Sequence, residues 1–199
     1  AWLQAKIFKH SDSRLFYLYS TTLLRMTMVK MVDYSKGKYQ DIGALHKKDL
    51  QESAALMFWM GRLMLFIDGA RCADTTVAYT TILYEMESGI GEDINKIWQS
   101  DDQKHKQKII NIVLNLEHKR LDRVPQKWIC QRGLKAMSDY LAKDLECKGC
   151  TEEPSDVPGK MAIIIPTNKI DPKLIDKQKW LAKRQKIRES FSPGIEDAK

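Results

Sequence analysis

The residues of this 199-residue chain best suited to chemistry are four cysteines and a group of arginines and carboxylates that fall near two of them. Cys72 closes the polar run Asp68-Gly69-Ala70-Arg71 that follows a strongly apolar segment. Cys130 falls on the apolar stripe of a later segment. A bridge between them would close a loop of about sixty residues and stabilise the fold by about 3–4 kcal/mol, by restricting the unfolded chain. A Cys72–Cys130 disulfide is the expectation; two buried thiols acting as small apolar side chains are the alternative. A disulfide implies an oxidising compartment, so the chain reads as periplasmic or secreted, with a cytoplasmic location as the alternative.

Cys147-Lys148-Gly149-Cys150 is a CxxC pair. In redox enzymes such a pair opens a helix, whose dipole lowers the thiol pKa. Here it follows a predicted helix end, where the dipole acts in the opposite sense. No His follows Cys150, so haem attachment is not indicated. A zinc site needs four ligands, and no second CxxC or HxxxH is present. His10, His46, His105 and His118 are scattered. A local structural disulfide is the expected role, and neither metal nor cofactor is expected.

Arg71, Asp74, Glu117 and Arg120 form the third candidate. Glu117 interrupts the apolar stripe of its predicted helix, and a buried carboxylate needs a partner. Arg120 lies one turn on. If Cys72 meets Cys130, Arg71 and Asp74 come to the same end of the molecule. Structural ion pairing is the expected role, and a ligand site the alternative. General acid work by Glu117 would need a cleft and a raised pKa. No P-loop, dinucleotide-binding glycine pattern, GxSxG, HExxH or EF-hand loop is present.

Charge points to a fourth candidate. The formal net charge is +7. From Lys169 to Arg188, eight Lys/Arg stand against Asp171 and Asp176, and from Asp102 to Lys135 nine stand against three acids. Lys177, Lys179, Lys183, Arg184, Lys186 and Arg188 make the C-terminal segment a possible surface for an anionic partner. The competing expectation is a solvated helix docked by Leu174, Trp180, Leu181 and Ile187. Nucleic acid is a possible partner that no motif favours.

The elements that must position these residues are helical. Glycine and proline are sparse, at ten and six, and 43% of residues are hydrophobic, enough for a core. Helical periodicity predicts a first helix from Ser11 or Ser13 to about Tyr34, with Leu15, Leu18, Thr22, Met26, Val29 and Val32 on its inner stripe. The central helix, from Asp49 or Ser53 to about Asp68, is apolar nearly all round and so is buried by its neighbours; Gly61 lets another helix approach. Further helices are expected over residues 74–87, 92–99 and 102–123. Another runs from Gln126 to about Glu146, with Cys130, Leu134, Met137, Leu141 and Leu145 as its stripe. Pro154, Pro158 and Pro166 interrupt any helix after Cys147. Met161–Ile165 reads as an extended segment without a visible partner strand. A last helix starts at Asp171-Pro172 and ends near Phe191.

The expected fold is all-α: an irregular bundle of about six helices around one buried central helix. Residues 1–146 form the helical core domain, and residues 147–199 an extended crossing segment and a basic helix packed on that domain. The most apolar run, Ala54–Ile67, is too short to span a membrane and contains Arg62. No signal peptide is visible at Ala1, and the abrupt start without Met reads as that of a mature or trimmed chain. The expected function is a secreted or periplasmic binding module for a protein or anionic partner. The alternatives are a cytosolic nucleic-acid-binding protein, and an enzyme using the arginine–carboxylate cluster or the CxxC.

Overall fold

The computed structural model describes residues 12–28, 46–77, 89–124, 126–143, 147, 149–154, 161–166 and 170–192. It is mostly helical, in keeping with an all-α bundle. The helices among these residues are α1 (Ser13–Met26), α2 (Lys47–Gly69), α3 (Ile90–Gln99), α4 (Gln103–His118), α5 (Lys127–Cys130), α6 (Leu134–Lys143) and α7 (Lys177–Ser190). Two four-residue strands, β1 (Thr151–Pro154) and β2 (Met161–Ile164), lie between α6 and α7. No helix among the described residues is long and apolar enough to cross a membrane.

The centre is α2, as its composition predicts. Ala54, Phe58, Met60, Leu63, Met64 and Ile67 are fully buried, and Ala55, Trp59 and Leu65 nearly so. These side chains cover most of its circumference, so α1, α3, α4 and α7 must surround it. Gly61 marks where α1 crosses. A Cβ there would stand 3.1 Å from the Phe16 Cβ and 3.3 Å from the Ser13 carbonyl oxygen, so a larger residue would push α1 away. The Ser20 hydroxyl, buried in the same crossing, donates to the Ala54 carbonyl at 2.6 Å. Tyr17, Phe58, Trp59 and Trp98 pack in edge-on and tilted pairs, with ring centroids 5.0–5.4 Å apart.

Three helices begin at aspartates that accept a hydrogen bond from a first-turn amide: Asp12 from Arg14, Asp102 from His105 and Asp176 from Lys179. Some expected elements differ. α1 buries Phe16, Tyr17, Ser20, Leu23 and Leu24, whereas Leu18 and Thr22 of the expected stripe face outward; its expected extension to Tyr34 lies outside the described residues beyond Met28. The helix expected over 126–146 is two helices, because the chain turns at 131–133. No residue of α6 is fully buried, and Leu134 is exposed; Leu145 lies outside the described residues. Residues 78–88, most of another expected helix, also lie outside them. β2 does have a partner: it pairs antiparallel with β1, Thr151 opposite Ile164 and Pro154 opposite Met161. α7 starts at Lys177 rather than Asp171, because residues 171–175 run extended beside residues 71–73.

Candidate functional site

Cys72 and Cys130 form a disulfide, with Cα atoms 5.2 Å apart. Both are buried, and the bond ties the end of α2 to the end of α5. The last part of the chain is laid over this junction. The Ala73 amide donates to the Lys173 carbonyl at 2.9 Å, and the Ile175 amide donates to the Arg71 carbonyl at 2.8 Å. The Gln131 side-chain amide donates to the Ile170 carbonyl at 3.0 Å. Trp180, buried, donates from its indole N–H to the Ile67 carbonyl at 3.1 Å. Residues 170–176, most of which were expected as the first turn of the last helix, are therefore an extended segment held across this junction by backbone bonds.

The ion pairs at this junction differ from those expected. Glu117 is 1% exposed, and its partner is not Arg120 but Arg184 of α7, which donates at 2.8 and 2.7 Å through both arms of its fork. Arg188, one turn further along α7, also donates to Glu117. Arg120 instead donates to the Leu116 carbonyl at 2.9 Å. Burial, and the nearby Arg123 cation, lower its pKa. Arg184 and Arg188 were expected on an outward cationic surface; Arg184 is buried and Arg188 mostly so, because the carboxylate they neutralise is itself buried. The outward surface of α7 is carried by Lys177, Lys179, Lys183 and Lys186.

A second buried pair was not anticipated. Asp68, 1% exposed, accepts from Arg123 at 2.5 Å. Burial raises the Asp68 carboxyl to about 6, against the opposing pull of Arg123 and Arg71. The available signal was weak: Asp68 occupies a core position at the last turn of an otherwise apolar helix. Nothing local pointed to Arg123, fifty-five residues away. Arg71 stands over the Trp180 ring, its Cζ 3.6 Å from the centroid. Burial lowers its pKa, partly countered by Asp68.

Asp74 stands apart from this network and caps α6 from a distance. Its carboxylate accepts from the Thr76 amide and hydroxyl and from the Ala136 amide, at 2.7–3.0 Å, while the Thr76 hydroxyl accepts from the Leu134 amide at 2.8 Å. Burial alone would raise the Asp74 pKa, but these hydrogen bonds outweigh it and hold the carboxyl below its ordinary value. Of the four expected cluster residues, then, Arg71 and Glu117 share one electrostatic network, while Asp74 and Arg120 serve backbone groups.

Cys147 and Cys150 are also paired, across a turn closed by the Cys150 amide donating to the Cys147 carbonyl at 2.9 Å. β1 follows directly. Among the described residues no helix begins at this pair, so the helix dipole that lowers the thiol pKa in a redox CxxC does not act there. Among the described residues, no group of three or more His, Cys, Asp or Glu could hold a metal ion.

Beside the Cys72–Cys130 bond lies a groove of about 570 Å³. Phe66 and Gly69 of α2, with Ala70 just past its end, form one wall, and Ile187 and Phe191 the other. Lys183 and Lys186, both exposed, stand on its α7 side, with Asp74 and Thr75 at the far end. The Asp74 carboxylate is already engaged by four donors, so the open charge at this groove is cationic. No family model matches the chain, and comparisons with curated proteins and with solved structures give no significant match.

Proposed function

We propose that this chain is a disulfide-stapled helical binding module of an oxidising compartment, secreted or periplasmic, whose groove holds an apolar chain carrying an acidic head group. The observation that carries the reading is the pairing of an apolar trough, formed by Phe66, Ala70, Ile187 and Phe191, with Lys183 and Lys186 on one edge. Its volume of about 570 Å³ is ordinary for a small-molecule site, where apolar walls supply affinity and a few charges set orientation. The two cysteine pairs support the compartment. Arg184 and Arg188 are engaged with Glu117, which leaves the nucleic-acid reading with fewer cations than the sequence count implies.

Titrating the full chain with dodecanoate, dodecanol and a short carboxylate, and following tryptophan fluorescence and calorimetry, tests this. Saturable binding of dodecanoate, weaker binding of dodecanol and none of acetate are expected. Lys183→Gln combined with Lys186→Gln should reduce the preference for the acid over the alcohol. Ile187→Asp should abolish binding of both. Equal weak binding of all three ligands, unaltered by these changes, would remove the proposal.

A further inference from the structure

The groove beside Cys72 has a neighbour. Phe66, Ser190 and Phe191 line it and also line a second cavity of about 480 Å³, which reaches Trp59, Trp98, Asn95 and Gln99. The two spaces therefore share a wall. Phe66 and Phe191 are both half-buried, so a flexible chain can pass over them without opening the core.

The order of residues along the helices gives this longer trough a direction. Near the start of α7, the Trp180 indole donates to the Ile67 carbonyl, and Arg71 stands over the same ring. Past the end of α7, Phe191 shares the second cavity with Trp59 and Arg62, which lie earlier in α2. The two helices thus run in opposite senses, with Lys183 toward the Cys72 end and Phe191 toward Trp59. Eight residues separate Lys183 from Phe191, about 12 Å along a helix.

The two ends differ in chemistry. Lys183 and Lys186 place positive charge at the first. At the second, the exposed polar groups include the side-chain amides of Asn95 and Gln99, one turn apart on α3. Arg62 also lines that end, but it stands over the Trp59 and Phe66 rings, its Cζ 5.3 and 5.7 Å from their centroids. Trp59 and Trp98 supply apolar wall.

Resting on the groove reading, we propose that the ligand is a long-chain acid with a hydroxyl at its far end, which runs past Phe191 and occupies both cavities. The carboxylate stays with Lys183 and Lys186, and the methylene chain crosses Phe66 and Phe191. The terminal hydroxyl exchanges hydrogen bonds with Asn95 and Gln99, whose amides each offer both donors and an acceptor. A chain that stopped at Phe191 would gain nothing from the apolar wall beyond it.

The test compares dodecanoate, hexadecanoate, ω-hydroxyhexadecanoate and hexadecanedioate on the full chain by calorimetry. Hexadecanoate should bind more tightly than dodecanoate. The hydroxy acid should exceed hexadecanoate by about 2- to 10-fold, as one net hydrogen bond allows. Asn95→Leu combined with Gln99→Leu, both exposed positions, should remove that advantage. Lys183→Gln combined with Lys186→Gln should weaken both long acids alike. Position is read from tryptophan quenching, because Trp59 and Trp98 line the second cavity and no tryptophan lines the first. Hexadecanoate brominated on its terminal carbon should quench more than the isomer brominated next to the carboxylate. Equal quenching by the two isomers, or equal affinity for hexadecanoate and its hydroxy derivative, would overturn the proposal. So would tightest binding of hexadecanedioate, which would make the far end a carboxylate site. Dodecanoate binding with no gain from a longer chain would sink this inference and leave the groove reading standing; no binding of any acid would remove both.

Discussion

At Glu117 two guanidinium groups from α7 converge on one buried carboxylate, and removing that carboxylate leaves both cations uncompensated. Glu117→Ala should therefore destabilise the protein by about 3–5 kcal/mol, read from chemical denaturation, far more than an exposed ion pair is worth. A loss below about 1 kcal/mol would mean that Arg184 and Arg188 reach water once the partner is gone. Asp68 carries a prediction of a different kind. Its carboxyl is raised from 3.8 to about 6 in the folded state, so the folded chain holds a proton between these values that the unfolded chain has lost. The stability from this group is complete below pH 4 or so and is lost as pH rises through 6. Comparing wild type with Asp68→Asn across that window isolates the effect: the wild type should lose stability relative to the variant as pH rises from about 4 to about 6. A carboxyl resonance titrating near 4 would contradict it. The sequence showed that Glu117 needed a cation, because it breaks an apolar stripe. It did not show which one, since Arg120 at helical spacing and Arg184 sixty-seven residues on are equally arginine.

At the scale of elements, periodicity identified where helices lie better than which face turns inward. Leu15, Leu18, Thr22 and Met26 recur at helical spacing, but so do Phe16, Ser20, Leu23 and Leu24, and it is the second set that α1 buries. The choice is made by the partner. Gly61 on α2 opens a shallow place that Phe16 and Tyr17 fill, and Ser20 gains a carbonyl there. The same dependence on a distant partner explains α6. Its run-on from α5 looked continuous because Gln131-Arg132-Gly133 contains no proline. Yet Asp74 reaches in from the end of α2 and caps a new start. A Cβ at residue 133 would lie 2.1 Å from Asp74 Oδ2, so the glycine is required for the cap to fit. Gly133→Ala is expected to cost at least the 1–2 kcal/mol of a lost N-cap. Because both changes destroy one interaction, Asp74→Ala in the Gly133→Ala background should add little further loss. Full additivity in denaturation midpoints would show that the two residues do not meet.

For the molecule as a whole, the Cys72–Cys130 bond decides which parts of the chain hold together. It joins residues fifty-eight apart and lies where α2 ends, α5 ends and the segment leading to α7 crosses. The groove, the arginine network and the cap on α6 each include a residue within a few positions of Cys72: Ala70, Arg71 and Asp74 respectively. That pairing was legible because each cysteine adjoined an apolar stripe. What covers it was not, because residues 170–176 are too irregular for any periodicity to place. Loop entropy separates the two disulfides: closing the long loop is worth about 4 kcal/mol, and closing the four-residue turn at Cys147–Cys150 about 2 kcal/mol at most. Replacing Cys72 and Cys130 by Ala should therefore reproduce most of the fall in melting temperature that reductant causes in the wild type. Replacing Cys147 and Cys150 should reproduce little of it, since β1 is exposed along its length and its hairpin is peripheral. The groove should respond in the same order: dodecanoate affinity falls in the first variant and holds in the second, because Cys72 is part of the groove lining and Cys147 is not. If the second variant instead melted as low as the first, the hairpin would have to be counted as part of the core, and the stability of the bundle would not rest on the bond at the end of α2.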